Sequence, residues 1–311
     1  MHVFPWISYL CEVKQILYVL LALLLAACAP TSPKFVKTDP PATHTVNAPL
    51  IPEALSFAGE KVPLDRIDVR ESLDYELCLA ANWHSRITLL LKKAPRYFSI
   101  IEPILKEEGV PTDFKYLAVA ESTLDELAVS PSRAVGLWQF LAPTAREYGL
   151  EVNENVDERY HIEKATRAAC QFLRESHERF GSWTVAAASY NMGRGGVARQ
   201  SDKQLETDYY NLLLGPETGR YVFRILAFKL ILEYPEKYGF SIAQEKRYSP
   251  RSFQRLEVDS TIDNLAAFAQ KRGANYKLLK WLNPWLRTNM LPVDSGAMYT
   301  IKLMDDTDRT Q

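Results

Sequence analysis

The stretch "VRESLDYELCLAANWHSRITLLLKKAPRYFSIIEPILKEEG" (Val69–Gly109) decides the fold class. Its apolar residues recur at spacings of three and four, which is the period of an amphipathic α-helix. Pro95 and Pro103 are typical of helix starts, and the glycine at 109 is typical of a helix end. Outward from this stretch, strand-like runs are scarce as far as Tyr238. The pattern predicts an all-α domain of about eight helices, with further helices over 143–148, 161–180, 183–190 and 218–233.

Residues 253–304 have a different pattern, which indicates a strand, two helices and a second strand. The first predicted helix, Ile262–Arg272, is followed by a glycine, and the second, Tyr276–Leu282, stops before a proline. The predicted fold class is therefore mainly α: an all-helical domain followed by a small α+β (βααβ) module. The polar stretch 241–252 is expected to link the two.

Composition excludes some classes of function. The chain has 311 residues, with 37 Lys and Arg against 38 Asp and Glu, so its formal charge is −1. This balance gives no overall field of the kind that attracts nucleic acid. The five histidines and four cysteines do not occur at metal-ligand spacings, and we expect no metal. Cys78 and Cys170 are expected to be free buried thiols, although an exported compartment would permit a disulfide.

The N-terminus predicts export. Residues 16–27, "ILYVLLALLLAA", form an apolar run that suits a secretory signal and is short for a membrane span, which needs about 20 residues. The residues "LAAC" (Leu25–Cys28) resemble a bacterial lipobox, which implies lipidation of Cys28 and a membrane anchor facing the periplasm. Ala29, where an aspartate is associated with inner-membrane retention, favours the outer membrane. A plain signal peptide or a stray hydrophobic N-terminus is the alternative.

The stretch "YLAVAESTLDE" (Tyr116–Glu126) carries a glutamate in a run apolar enough for a protein interior. Glu121 lies in line with an apolar helix face, because it follows at helical spacing from Phe114, Leu117 and Ala118. A carboxyl group at the end of such a stripe, opening to a cleft, would have its pKa raised by desolvation and could act as a general acid. Equally open from this stretch alone is a buried glutamate held by an arginine, for which Arg133 is a candidate.

Three later stretches carry residue types that suit a sugar: "GLWQ" (Gly136–Gln139), "ASYN" (Ala188–Asn191) and "ETGRYV" (Glu217–Val222). Gly136 permits close backbone approach, a tryptophan offers a flat apolar face, and a glutamine offers both a donor and an acceptor. Each stretch is a weak signal alone, because such a tryptophan is more often in the core and Asn191 is more often a helix cap.

Taken in order with Glu121-Ser122, these motifs resemble the motif series of lytic murein transglycosylases, most closely the membrane-bound D type. The resemblance covers about residues 97–240. It implies a goose-type-lysozyme-like fold, no cofactor, and cleavage of the β-1,4 bond between N-acetylmuramic acid and N-acetylglucosamine in peptidoglycan strands. The product would be a 1,6-anhydro-muramoyl end. The residues implied to bind substrate are Ser122, Gln139, Tyr190, Asn191 and Tyr221, with Trp138 and Met192 as weaker candidates.

By the same resemblance, Glu121 is the single catalytic acid/base. It would protonate the glycosidic oxygen and then take the proton from the muramic O6 as that oxygen attacks C1. Glycosidases that use two carboxylates need a second one about 5–10 Å away. Asp125 and Glu126 follow about one helical turn later, and we interpret both as a solvated helix end.

The C-terminal residues resemble a LysM domain, a small peptidoglycan-binding unit, in "TIDNLAAFAQKRGANYKLLKWLNPWL" (Thr261–Leu286) and "MYTIKL" (Met298–Leu303). The usual Gly-Asp-Thr-Leu opening stands here as Asp259-Ser260-Thr261-Ile262, so glycan binding and a packing or spacer role are both open. The predicted organisation is a lipoprotein signal (1–27), a Pro-rich tether (28–52), a helical extension (53–96), a catalytic domain (97–240), a linker (241–252) and a LysM-like module (253–304).

Two other functions fit the same residues. A hydrolase of the lysozyme type would use water in place of the muramic O6, with Glu121 again as the acid. A catalytically silent lipoprotein that scaffolds other wall enzymes would bind peptidoglycan without cleaving it.

Overall fold

A computed structural model describes residues 48–304 of the chain. The signal, the lipobox and most of the predicted tether lie outside these described residues. Between residues 48 and 304, no helix combines the length and the apolar character needed to cross a membrane. The α-helices are α1 (Ile67–Ala81), α2 (His84–Glu107), α3 (Lys115–Ser122), α4 (Ala142–Glu147), α5 (Ile162–Phe180), α6 (Trp183–Met192), α7 (Arg194–Gln204), α8 (Pro216–Glu233), α9 (Leu265–Gln270) and α10 (Tyr276–Leu282).

The four strands form two small antiparallel pairs. β1 (Ser56–Phe57) pairs with β2 (Glu60–Lys61) before the first helix. β3 (Gln254–Val258) pairs with β4 (Tyr299–Leu303), and α9 and α10 lie between them in sequence. The predicted fold class, a mainly helical domain followed by a βααβ module, is confirmed.

The predicted helix starts at Pro95 and Pro103 are wrong, because both prolines lie inside the single 24-residue helix α2. Proline removes an intrahelical hydrogen bond, so a helix tolerates it only when packing compensates. In α2 one face stays buried across both prolines, from Ile87 to Leu105. The carbonyl of Lys92, in the turn before Pro95, accepts a hydrogen bond from the backbone N–H of Tyr248 at 2.8 Å.

Helix α8 forms the centre of the helical core. It is apolar around most of its circumference, and it packs against α1, α3 and α6. Its one buried cation, Lys229, pairs with Asp113 at 2.6 Å. Since α3 packs on α8, the last turn of α3 is held by the core rather than by a loop.

The βααβ module packs directly against the helical domain. Val156 forms an antiparallel bridge with Leu286, and the N–H of Asp157 donates to the carbonyl of Trp285 at 2.9 Å. Val135 and Val156 also share one apolar cluster with the module's own core.

Two other predictions are tested by burial. Glu126 is not part of a solvated helix end: it is 8% exposed and pairs with Arg251 at 2.6 Å, a partner 125 residues away that local sequence cannot reveal. Cys78 and Cys170 are both free thiols, as predicted, although only Cys170 is fully buried.

Candidate active site

Glu121 stands in the last turn of α3, where the helix stops abruptly. The two residues that follow the end of the helix at Ser122, Thr123 and Leu124, both have a φ of 52°, in the left-handed region that non-glycine residues seldom adopt. Such local strain persists only where surrounding packing enforces it, and it is frequent at functional sites. The turn ends the helix at Glu121-Ser122 and leaves the Glu121 side chain at the wall of a cavity.

This cavity has a volume of about 750 Å³, within the range of small-molecule sites. It brings together five of the predicted residues, which come from three separate parts of the chain. These are Glu121, Gln139, Tyr190, Asn191 and Met192. The rest of the wall includes Ser130, Ser132, Phe140, Leu141, Thr144, Phe172 and Glu217.

The electrostatics of Glu121 are dominated by burial. Burial raises the pKa of Glu121 from 4.5 to about 7, and the negative charge of Glu217 acts in the same direction. The hydroxyl of Tyr221 donates a hydrogen bond to Glu121 Oε1, which stabilises the ionised form, and the positive charge of Arg224 does so as well. With burial as the largest of these effects, a substantial fraction of Glu121 is protonated at neutral pH.

The alternative interpretation, a glutamate clamped by Arg133, is wrong. Arg133 is exposed, and within residues 48–304 no hydrogen bond or ion pair joins its guanidinium to Glu121. The side chain that holds Glu121 is a phenol. A neutral partner leaves the carboxyl group free to gain and lose a proton.

Gln139 is positioned by a tight turn. It has a φ of 49°, and its amide nitrogen donates to the carbonyl of Gly136 at 2.8 Å. Gly136 itself has a φ of 77°, and a Cβ atom there would lie 2.3 Å from the carbonyl oxygen of Arg159. Both observations require glycine at 136. The amide oxygen of Gln139 has no hydrogen-bond partner in the described part of the chain, and so remains available as an acceptor.

Tyr190 and Asn191 lie in the last turn of helix α6, and both line the cavity. The Tyr190 hydroxyl donates to the carbonyl of Trp138 at 2.7 Å, which ties α6 to the turn that carries Gln139. Asn191 Oδ1 accepts a hydrogen bond from Thr218 at 2.7 Å. Because the amide oxygen is used in this way, its NH₂ group is left as a donor toward the cavity.

Two family models match this chain. Residues 98–213 match the transglycosylase SLT domain, and residues 254–306 match the soluble lytic transglycosylase C-terminal LysM-like domain. The chain carries an SLT domain followed by a LysM-like domain. The resemblance stated from the motifs is thereby confirmed.

Curated relatives are similar over part of their length. Membrane-bound lytic murein transglycosylase D of Escherichia coli strain K12 is 29% identical over 214 residues, which cover 67% of this chain and 46% of the relative. The protein of the same name from E. coli O6:H1 gives the same values. This chain therefore spans about half the length of these relatives. Among solved structures, an inactive mutant of lytic transglycosylase Slt from Pseudomonas aeruginosa matches with a TM-score of 0.36 and 21% identity, covering 49% of this chain and 26% of that chain.

Three predicted site residues of the SLT domain, Trp138, Ser122 and Tyr221, do not line the cavity. Trp138 is 0% exposed and its indole N–H donates to Thr166 at 2.9 Å, so its ring is a core residue and cannot stack on a sugar. Ser122 is 6% exposed and its hydroxyl donates to the carbonyl of Ala118, so it does not hold the Glu121 carboxyl. Tyr221, predicted to line the cleft, is 2% exposed instead, and its hydroxyl donates to the Glu121 carboxyl.

The sequence interpretation gave no role to Glu217 or Arg224 of α8. Glu217 lines the SLT cavity and pairs with Arg224 at 2.9 Å. Arg224 also lies 3.7 Å from the buried Glu76 of α1. The spacing of seven residues between Glu217 and Arg224 on one helix face is a signal that could have indicated the pair. Phe172, which also lines the cavity, was missed because the sequence alone cannot distinguish an aromatic residue at a cavity wall from one in the core of an amphipathic helix.

Replacing Tyr221 by phenylalanine is expected to move the alkaline limb of the pH–activity profile upward by about one pH unit. The hydrogen bond lowers the pKa of Glu121, so its loss leaves the carboxyl protonated to higher pH. Measurement of kcat/KM between about pH 5 and 9 would show the shift.

Tyr209→Phe is the matched control for this prediction. Tyr209 is also buried, but its hydroxyl donates to backbone carbonyls of Thr218 and Gly219 rather than to Glu121. The alkaline limb of the pH–activity profile of Tyr209→Phe should lie at the same pH as that of the parent protein. A downward shift in Tyr221→Phe would contradict the assigned hydrogen bond.

Proposed function

We propose that the SLT domain cleaves the β-1,4 bond between N-acetylmuramic acid and N-acetylglucosamine in peptidoglycan without hydrolysis, leaving 1,6-anhydro-muramoyl ends. The observation that carries the proposal is a carboxyl group with a pKa of about 7 at the wall of a sugar-sized cavity. The family match and the relatives named as lytic murein transglycosylases support the same activity.

The mechanism needs one group that both gives and takes a proton. Protonated Glu121 donates its proton to the glycosidic oxygen as the bond to C1 breaks. The resulting carboxylate then accepts the proton of the muramic O6 hydroxyl as that oxygen bonds to C1. A pKa near the working pH suits both steps, because neither form of the carboxyl is much favoured over the other.

The cavity residues would position the sugars around this carboxyl. Gln139 presents an acceptor and Asn191 presents donors, which is the complement of a sugar's hydroxyl and N-acetyl groups. Tyr190 and Met192 supply the apolar surface beside them. Tyr221 acts through Glu121, since its hydroxyl steadies the ionised form after the first proton transfer.

A hydrolase is the second candidate, and Glu217 is the observation that favours it. Among the residues that line the cavity, Glu217 is the only carboxylate besides Glu121, and a hydrolase would use it to activate water. Its ion pair with Arg224 argues for a structural role instead, because a paired carboxylate is a poor base.

The two mechanisms are separated by the products. Mass spectrometry of digested peptidoglycan should show anhydro-muropeptides, and Glu217→Gln should leave them unchanged in kind. Reducing ends in their place would establish the hydrolase. Failure of the parent protein to release any fragment would favour the non-catalytic scaffold.

We further propose that the protein is exported as a lipoprotein. The lipobox at Leu25–Cys28 supports a lipid anchor on Cys28, and Ala29 supports the outer membrane. In this arrangement the tether would let the SLT domain reach peptidoglycan, and the LysM-like domain would add contact with the same polymer.

A further inference from the structure

A second cavity, of about 520 Å³, lies between helix α2 and the LysM-like domain. It shares no lining residue with the cavity around Glu121. Its apolar surface comes from both sides, with Ile100 and Ile104 on α2 and Phe253 and Leu282 on the LysM-like domain. Junctions between domains are a frequent place for ligand sites. We call this space the junction cavity.

The charges that line the junction cavity do not balance. Two carboxylates face five cations, and each carboxylate has a close partner: Glu126 pairs with Arg251 and Glu163 with Lys302, both at 2.6 Å. The cations of the lining are Arg96, Arg167, Arg251, Arg255 and Lys302. Arg167 pairs with two glutamates outside the cavity.

Arg96 and Arg255 carry the surplus positive charge. Arg96 stands on α2, and its Nε donates to the carbonyl of Ser249, not to a carboxylate. Burial and the neighbouring charge of Arg251 lower the pKa of Arg96, as expected for a cation without an anion of its own. Arg255 stands on β3, 3.7 Å from a Glu163 that Lys302 already holds. The two arginines thus face the cavity from its two sides.

Unpaired polar atoms collect at the same place. Among the described residues only three buried side-chain polar atoms lack a hydrogen bond, and two of them, Trp285 Nε1 and Arg251 Nε, belong to residues of this lining. Buried groups without partners are rare in native proteins and call for an explanation. Both atoms are N–H donors, so what the junction cavity lacks is an acceptor.

We infer that the junction cavity binds a short acidic peptide, with carboxylates at Arg96 and Arg255 and an aliphatic segment between them. The choice of peptide rests on the proposed function. In the tripeptide of a peptidoglycan stem, L-alanyl-γ-D-glutamyl-meso-diaminopimelate, the glutamyl and diaminopimelyl residues carry free carboxylates on an aliphatic backbone, which matches cations on two walls and an apolar surface between them. The site would hold the stem of a strand at the LysM-like domain while the glycan is cleaved at Glu121.

The test measures binding of the synthetic tripeptide L-alanyl-γ-D-glutamyl-meso-diaminopimelate to the full chain by calorimetry. The chain carries Glu121→Gln, so turnover plays no part. We expect saturable one-to-one binding that weakens by about tenfold or more when Arg96→Gln and Arg255→Gln are added, because two charge-assisted contacts are lost. Lys277→Gln removes an exposed cation of the LysM-like domain outside the cavity and should leave the affinity unchanged.

Three outcomes would overturn the inference: no saturation by the tripeptide, equal affinity in the double variant, or equal affinity for the tripeptide with amidated carboxyl groups. The single variant Arg255→Gln controls for misfolding of the double variant. Its side chain is 60% exposed, so its replacement should not alter thermal unfolding. The result is separate from the proposed function. Anhydro-muropeptides from the parent protein would stand even if the peptide did not bind.

Discussion

Replacing Glu121 by glutamine is expected to lower the rate of glycan cleavage by about 10³-fold or more. Glutamine keeps the shape of the side chain and can still accept the hydrogen bond of Tyr221, but it has no proton to give to the leaving oxygen. The measurement is release of soluble muropeptides from purified peptidoglycan. Glu217→Gln is the matched control, since it removes the other carboxylate of the cavity and should cost less than about tenfold.

The same variant has a second readout that excludes misfolding as the cause. The pKa of Glu121 is 4.5 in an ordinary environment and about 7 in the folded protein, so folding disfavours its ionised form. The cost is absent below the unfolded pKa, grows as pH rises from 4.5, and is complete above about 7. Glu121→Gln should therefore be more stable than the parent by up to about 3 kcal/mol at pH 8 and equal to it at pH 4.

An inactive Glu121→Gln protein that is also more stable at pH 8 would fit a residue kept for chemistry at the expense of stability. Retention of more than about a tenth of the activity would remove Glu121 from its catalytic role. Loss of activity together with lower stability at every pH would mean that the side chain serves the fold.

Arg159→Met is expected to destabilise the protein by about 3–5 kcal/mol. Arg159 is 9% exposed, and its guanidinium bonds both oxygens of Asp157 at 2.9 and 2.8 Å. It also donates to the carbonyls of Arg133 and Phe140, on either side of the turn that carries Gln139. Methionine leaves the Asp157 carboxylate buried without its cation. It also removes the hydrogen bonds to Arg133 and Phe140 that hold one wall of the cavity around Glu121.

Urea unfolding measures this effect, and Arg146→Met is its control. Arg146 is an exposed arginine that donates to a single backbone carbonyl, that of Val152, so its loss should cost less than about 1 kcal/mol. Folded Arg159→Met protein should also show a raised KM, because the turn with Gln139 loses its support. Equal stability of the two variants would refute the anchoring role of Arg159.

The helical fold could be predicted because it depends on local periodicity. The βααβ order and the bounds of α10 followed from turn and breaker residues, which act over a few positions. Pro95 and Pro103 were misread because their effect is overridden by a buried face that continues through both. Glu126 was misread because its partner, Arg251, lies 125 residues away in the chain, beyond the reach of any local pattern.

In the candidate site, too, the residues with a local signal could be predicted and those that depend on distant contacts could not. Glu121 could be found because a carboxylate in an apolar run breaks a local rule. Gln139 and Asn191 were weak signals by residue type, and the motif resemblance was what assigned them to the site. Trp138 could not be assigned correctly from sequence, since the same residue would suit a sugar or a core, and only its bond to Thr166 decides. Glu217 was missed because first-turn acidic residues are common in helices for reasons unrelated to catalysis.

The most direct test of the account is a pH titration of the Glu121 carboxyl group, monitored by carbon-13 NMR of the side-chain carboxyl. The Glu121→Gln variant, which lacks this carboxyl, assigns the signal. A midpoint near 7 is the value that the buried environment predicts. A midpoint near 4.5, the value of an ordinary glutamate, would show a carboxyl already ionised at neutral pH and would contradict its role as the acid.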